Sequence, residues 1–155
     1  MAANSRFAVA THVLVALAHL SRHAPPALRR DDGRVSSETI ASSVNTNPVV
    51  VRRVVASLVR GGLVESHQGK GGGLELAVPP ERITLRDVYD AMGAEPVFAF
   101  NPAPPNPKCP VSARMADVLA PVMEASQEAV RARLRKITLA SLLRSSVAGE
   151  LMPAR

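Results

Sequence analysis

Residues 35–77 read VSSETIASSVNTNPVVVRRVVASLVRGGLVESHQGKGGGLELA, and this stretch decides the fold. Ser36 is a natural N-cap for a short helix from Ser37 to Val44, with Ile40 and Val44 at helical spacing. Asn45-Thr46-Asn47 is predicted to be a three-residue turn. Asn47 can cap a second helix that opens on Pro48, where the missing N–H of proline is harmless. That helix is predicted to run to Arg60 and to stop at Gly61-Gly62. Within it Val51, Val54, Val55 and Leu58 recur at helical spacing and should face inward, turning Val49, Val50, Arg52 and Arg53 to the other side. Two strand patterns, Leu63–His67 and Leu74–Ala77, flank the glycine-rich Gln68–Gly73 and predict a hairpin. The order is that of a helix-turn-helix followed by a wing, in which the second helix enters the DNA major groove.

Asn47-Pro48-Val49-Val50-Val51-Arg52-Arg53, Gly62-Leu63-Val64 and Gly69-Lys70-Gly71-Gly72-Gly73 together resemble the winged helix-turn-helix regulators typified by IscR, NsrR and CymR. The resemblance extends over nearly the whole chain and is nearest to the YwnA-like branch. It implies a dimeric bacterial transcription regulator, of a kind that often senses iron–sulfur, nitrosative, cysteine or redox status.

Composition agrees with that scale. The 155 residues suit one domain with a dimerisation extension, and 46% hydrophobic content with 3% aromatic predicts a core of Val, Leu, Ala and Ile. A net charge of +6 and a pI near 10.7 favour a polyanionic partner, although a soluble protein can also simply be basic. From Pro48 to Gly73 the basic residues Arg52, Arg53, Arg60 and Lys70 face a single acid, Glu65. The N-terminus has no signal-peptide pattern, and no apolar run is long enough to cross a membrane, so a cytoplasmic protein is expected. One cysteine cannot form an internal disulfide and fits a reducing compartment.

The expected fold is therefore mostly α: a winged helix-turn-helix with a small β-hairpin wing and a long C-terminal dimerisation helix. Residues 1–92 are expected to form the DNA-binding domain, starting with a helix from about Ser5 to Ser21 whose Val9, Val13, Ala16, Leu17 and Leu20 pack on the core. His23 to Arg34 is a loop with Arg29-Arg30-Asp31-Asp32 as a solvated tip, and Val35 is a short strand able to pair with the wing. Thr84-Leu85-Arg86-Asp87 is a capping box for a helix through Met92. Residues 93–110 form a proline-rich linker with an apolar plug, Val97-Phe98-Ala99-Phe100. Residues 111–146 are the dimerisation region: a short helix from Ser112 to Leu119, a longer one opening near Pro121 and running to about Arg135 or Ile137, and a third from Thr138 to Leu143. Val122, Ala125, Ala129, Val130, Leu134 and Ile137 form a stripe expected to meet its symmetry mate. Residues 147–155 are a tail.

Arg52 and Arg53 are the candidates for base reading, because a guanidinium binds guanine O6 and N7 bidentately. Val49 and Val50 suit thymine methyls, while Thr46, Asn47 and Ser37 suit phosphates at helix N-termini. The resemblance adds Arg6, in Arg6-Phe7-Ala8-Val9, as a residue near the DNA backbone; a solvated helix-start arginine is the alternative. It also adds Gln68, standing where many relatives place a groove-inserting arginine, with Lys70 supplying charge beside it.

Cys109 lies in Lys108-Cys109-Pro110-Val111, similar to the Cys-Pro-Val element of the YwnA-like branch. Branches with iron–sulfur clusters use three cysteines in this linker, so neither a cluster nor any other cofactor is expected. Cys109 reads either as a redox-sensing thiol activated by Lys108 and a helix N-terminus or as a packing residue. His12, His19, His23 and His67 do not form a metal-spaced set, and no metal is assigned. No nucleophile elbow, phosphate loop or His-Glu-x-x-His appears, so the protein is not read as an enzyme. The partners expected are double-stranded DNA, a second copy of the chain and a small-molecule effector. A winged-helix protein-interaction module without sequence-specific DNA binding is the competing reading.

Overall fold

The computed structural model describes residues 3–28, 32–69 and 71–149. Helix α1 (Ala3–His23) is followed by a single turn of 3-10 helix at Pro26–Leu28, then by α2 (Ser37–Val44) and α3 (Pro48–Arg60). Strands β1 (Val64–His67) and β2 (Gly73–Leu76) form the wing, and α4 (Leu85–Ala91), α5 (Pro110–Arg135) and α6 (Leu139–Ala148) complete the chain.

Each helix of the central motif starts where its cap directs. The Ser36 hydroxyl accepts the Thr39 N–H at 3.1 Å, and the Asn47 side-chain oxygen accepts the Val49 N–H at 2.8 Å. Such caps contribute about 1 kcal/mol each, by giving partners to N–H groups that the helix leaves unpaired. Between them Asn45 turns the chain in the left-handed conformation, φ 51°, which asparagine tolerates better than most residues. At α4 the predicted box is complete: the Thr84 hydroxyl accepts the Asp87 N–H and the Asp87 carboxylate accepts the Thr84 N–H.

The core is aliphatic, as the composition demands. Leu14 and Leu17 of α1, Ile40 of α2, Val51 and Leu58 of α3, Ile83, Val88 of α4 and Leu139 of α6 are fully buried together. The inward face of α1 is broader than predicted: Ala10, Leu14 and Ala18 join Val13, Ala16 and Leu17, while Val9 and Leu20 are half-buried at its margin. The wing strands pair antiparallel, Val64 opposite Leu76 and Glu65 opposite Glu75. Val35 extends this pair through reciprocal backbone bonds with Leu74, as expected of a short edge segment.

Three expectations about the C-terminal half are corrected. A break before Pro121 does not occur; α5 is one helix of 26 residues that carries Pro121 internally. A break would have made Ala120 an N-cap, and alanine has no side-chain acceptor for that place. The continuous helix loses the bond that Pro121 cannot donate and has to accommodate its ring against the preceding turn, at a place where most neighbouring residues are exposed. The stripe Val122 to Ile137 also divides. Leu134 and Ile137 pack against the core, whereas Val122, Ala125 and Ala129 are exposed. The third helix extends to Ala148, beyond the predicted Leu143, buries Leu139 and Ala140, and packs on α1. Its N-terminus is tied to the segment before α4 by Leu85 N–H to Ile137 carbonyl (2.9 Å) and Leu139 N–H to Ile83 carbonyl (2.8 Å).

Candidate nucleic-acid interface

Helix α3 separates two faces by its own periodicity. Val51, Val54, Val55, Ser57 and Leu58 are buried, so Val49, Arg52, Arg53, Ala56 and Arg60 form the outer stripe. Val49 keeps 50% of its surface exposed. Val50 is half-buried at the edge of the stripe. Asn47 is exposed at the start of α3, with its side-chain oxygen committed to the cap. The Thr46 hydroxyl donates to the Val44 carbonyl within the turn at 3.4 Å. Ser37 stands at the first position of α2, its hydroxyl 3.4 Å from the Glu38 carboxylate.

Glu38 enters the site from α2 and was not singled out from the sequence. Its own backbone N–H holds its carboxyl below the ordinary value, opposed by desolvation and aided by the Ser36 and Ser37 hydroxyls; the Arg52 guanidinium is the weakest of these influences. An exposed acid therefore lies near the foremost base-reading candidate. Only the packing of α2 on α3 brings the two together.

Arg6 is placed on α1, 3.7 Å from Glu95 of the linker, and both side chains are about half exposed. It lines one groove with Val50, Arg53, Val54 and Arg60. Arg60, counted above in the basic set from Pro48 to Gly73, lies two helical turns after Arg53 on the same face. Its guanidinium donates to the Ser57 hydroxyl at 2.9 Å. Gln68 is exposed directly after β1 at the wing tip, and Lys70 lies outside the described residues, as do Arg29, Arg30 and Asp31 of the predicted tip. The hairpin turn closes through Gly72 N–H to the Gly69 carbonyl at 2.9 Å. A Cβ on Gly72 would lie 2.2 Å from the His67 carbonyl oxygen, so the turn requires glycine there.

This geometry is that of a winged helix-turn-helix, and comparison with known proteins gives it a lineage. A family model described as an iron-dependent transcriptional regulator, Rrf2, matches residues 3–145. The chain belongs to the Rrf2 family. It is 38% identical over 141 residues to YwnA of Bacillus subtilis (strain 168), a protein named as an HTH-type transcriptional regulator, covering 90% of this chain and 96% of that one. A crystal structure assigned to a DNA-binding protein superposes with a TM-score of 0.62 at 34% identity, over 89% of this chain and 98% of that one. IscR of T. potens shares the fold, with a TM-score of 0.65 at 21% identity over 97% and 91% of the two chains. Family and relatives are transcriptional regulators, not enzymes.

The family description raises the question of iron, and Rrf2 proteins can carry iron–sulfur clusters. The linker of this chain does not fit one. Cys109 is the sole cysteine of the sequence, and the cleft it lines with Phe100, Met115 and Leu119 contains no histidine or carboxylate. A single thiolate cannot replace a set of cysteine ligands. Cys109 is half-buried at the N-cap of α5, with Pro110 at the first helical position and no cap bond from its side chain.

The linker beside it is anchored rather than loose. The Gln127 side chain of α5 accepts the Val97 N–H at 3.0 Å and donates to the Tyr89 hydroxyl at 2.8 Å. That hydroxyl in turn donates to the Glu95 carbonyl, and the Tyr89 ring meets Phe7 edge-to-face. The plug Val97-Phe98-Ala99-Phe100 lies along α5 with Phe98 still 55% exposed. Among the described residues no helix is long and apolar enough to cross a membrane.

Proposed function

We propose that the protein is a cytoplasmic homodimeric repressor that binds a palindromic operator through α3. Residues 1–92 would form the DNA-binding unit, 93–110 the linker, and α5 the dimer contact, with α6 buttressing the first unit. Arg52 and Arg53 read bases, Val49 and Val50 touch thymine methyls, and Ser37, Thr46, Asn47, Arg6, Gln68 and Lys70 address phosphates and the adjoining groove. The state of the Cys109 thiol, or a small ligand near it, sets the affinity.

The observation that carries this reading is the pairing of two exposed surfaces. One is the arginine-bearing outer stripe of α3. The other is the run Val111, Met115, Val118 and Val122 on α5, spaced four, three and four residues apart and exposed throughout. None of the 26 residues of α5 is buried, and the heptad spacing of those side chains suits a facing copy of the same helix. The experiment is selection of genomic fragments by the purified protein, with and without a thiol oxidant, followed by titration at several salt concentrations. A recovered palindrome whose affinity falls steeply with salt supports the reading. A partner interaction that is insensitive to salt, with no selected DNA, supports the protein-interaction module instead.

A further inference from the structure

The outward face of the wing carries three side chains that spacing along the sequence does not connect. Glu65 and His67 alternate along β1 and so share a face; the register sets Glu75 of β2 directly opposite Glu65. The His67 Nε2 lies 2.6 Å from Glu75 Oε1 and 3.7 Å from Glu65 Oε2, and the three donor atoms are all within 4.8 Å of one another. Two like charges directly opposite on an antiparallel pair weaken it unless a cation stands between them. His67 Nε2 is shielded from solvent and stands within ion-pairing distance of both carboxylates, so it is aimed between them. Arg34 is 3.8 Å from Glu75 but is drawn closer to Asp32, at 2.6 Å.

We propose that Glu65, His67 and Glu75 form a divalent-cation site of zinc type on the wing. With its ring proton on Nδ1, His67 offers the Nε2 lone pair, and each glutamate offers one oxygen. A tetrahedral zinc with bonds of about 2.1 Å sets its ligand atoms about 3.4 Å apart, so the exposed carboxylates need only small rotations to meet it. Three protein ligands leave the fourth position to water, and the nitrogen–oxygen donor set suits zinc better than calcium or magnesium. The ion would bind both strands of the hairpin together and add two positive charges beside its tip. This assigns a metal that the spacing of the histidines did not suggest, at a place remote from the linker cysteine.

The test uses the tag-free full-length protein titrated with Co2+ as a visible probe and then with Zn2+. One cobalt per chain is expected, with d–d bands and no thiolate charge-transfer band, displaced by zinc. His67→Ala should abolish the bands, while Cys109→Ser and a His19→Ala/His23→Ala variant should keep them. Glu65→Gln/Glu75→Gln is nearly isosteric and reads the same site if His67→Ala misfolds. Bands that survive both wing variants, or that vanish with Cys109→Ser, overturn the site. The electrostatic consequence rests on DNA binding as proposed above: zinc should tighten binding to random duplex several-fold in the wild type alone. Unchanged affinity with the site filled overturns that role. Failure of the chain to bind DNA at all leaves the cobalt titration readable on its own.

Discussion

At the residue scale the outer face of α3 is an arginine surface tempered by an acid. Arg52→Ala should lower the preference for operator over random DNA by roughly 1–3 kcal/mol, the worth of a bidentate guanine contact. Competition binding against both duplexes checks this, and equal losses on the two would remove Arg52 from base reading. Glu38→Gln should act in the other direction. It removes the negative charge near Arg52, so binding to random DNA should tighten and its salt dependence should steepen. The same substitution carries a pH signature. A carboxyl held below its ordinary value stabilises the fold while it is ionised, and that contribution disappears as pH falls through the lowered value. The stability difference between wild type and Glu38→Gln should therefore be level from neutral pH down to the usual carboxylate range and shrink below it. Thermal unfolding across acid pH measures that difference; a gap that grows on acidification contradicts the assignment.

At the scale of elements, α5 leaves a run of apolar side chains exposed. Val118 is 65% and Val122 59% exposed on a helix that packs on the core only near its C-terminal end, at Leu134. Val118→Asp should yield a monomer in light scattering while leaving the helical content of the N-terminal unit intact, because that side chain touches none of the buried core. A dimer of unchanged strength would move the interface elsewhere. The junction of α3 with α4 is tight in a different manner. A Cβ on Gly61 would lie 2.7 Å from that of Ala91, so Gly61→Ala must push α3 away from α4. A loss of about 1–3 kcal/mol is expected in chemical denaturation, the usual scale for overpacking. No loss would mean that the helices separate freely.

At the scale of the molecule, the linker joins the two surfaces through a few polar contacts. Tyr89, Gln127 and the backbone at Glu95 and Val97 connect α4 to α5, and Cys109 caps the start of that helix. In the dimer proposed above the recognition helices would have to stand one DNA turn apart, about 34–36 Å, so a small rotation of α5 would alter operator fit. Oxidation or alkylation of Cys109 adds bulk and polarity in a cleft lined by Phe100, Met115 and Leu119. Operator affinity of the wild type should change on titration with peroxide or an electrophile, and that of Cys109→Ser should not. Identical responses would make a bound small molecule the better candidate for the effector.

Local rules sufficed for the DNA-facing half of the protein. Ser36, Asn47 and Thr84 cap where their hydroxyl or amide oxygen meets unpaired N–H groups, and the valine spacing of α3 determines which face is left for Arg52 and Arg53. These signals lie within a turn or two of one another, so the sequence alone determines them. The rest depended on distances through space. Pro121 marked a helix start by local preference, yet α5 runs through it as one helix. Leu134 and Ile137 shared a period with Val122, but only the return of α6 to the core decided which of them packs inward. Glu38 reached Arg52 through helix packing, and Glu65, His67 and Glu75 met through strand register. A linear sequence carries periodicity and capping; which faces then meet is settled by the tertiary fold, because burial and charge act across space and not along the chain.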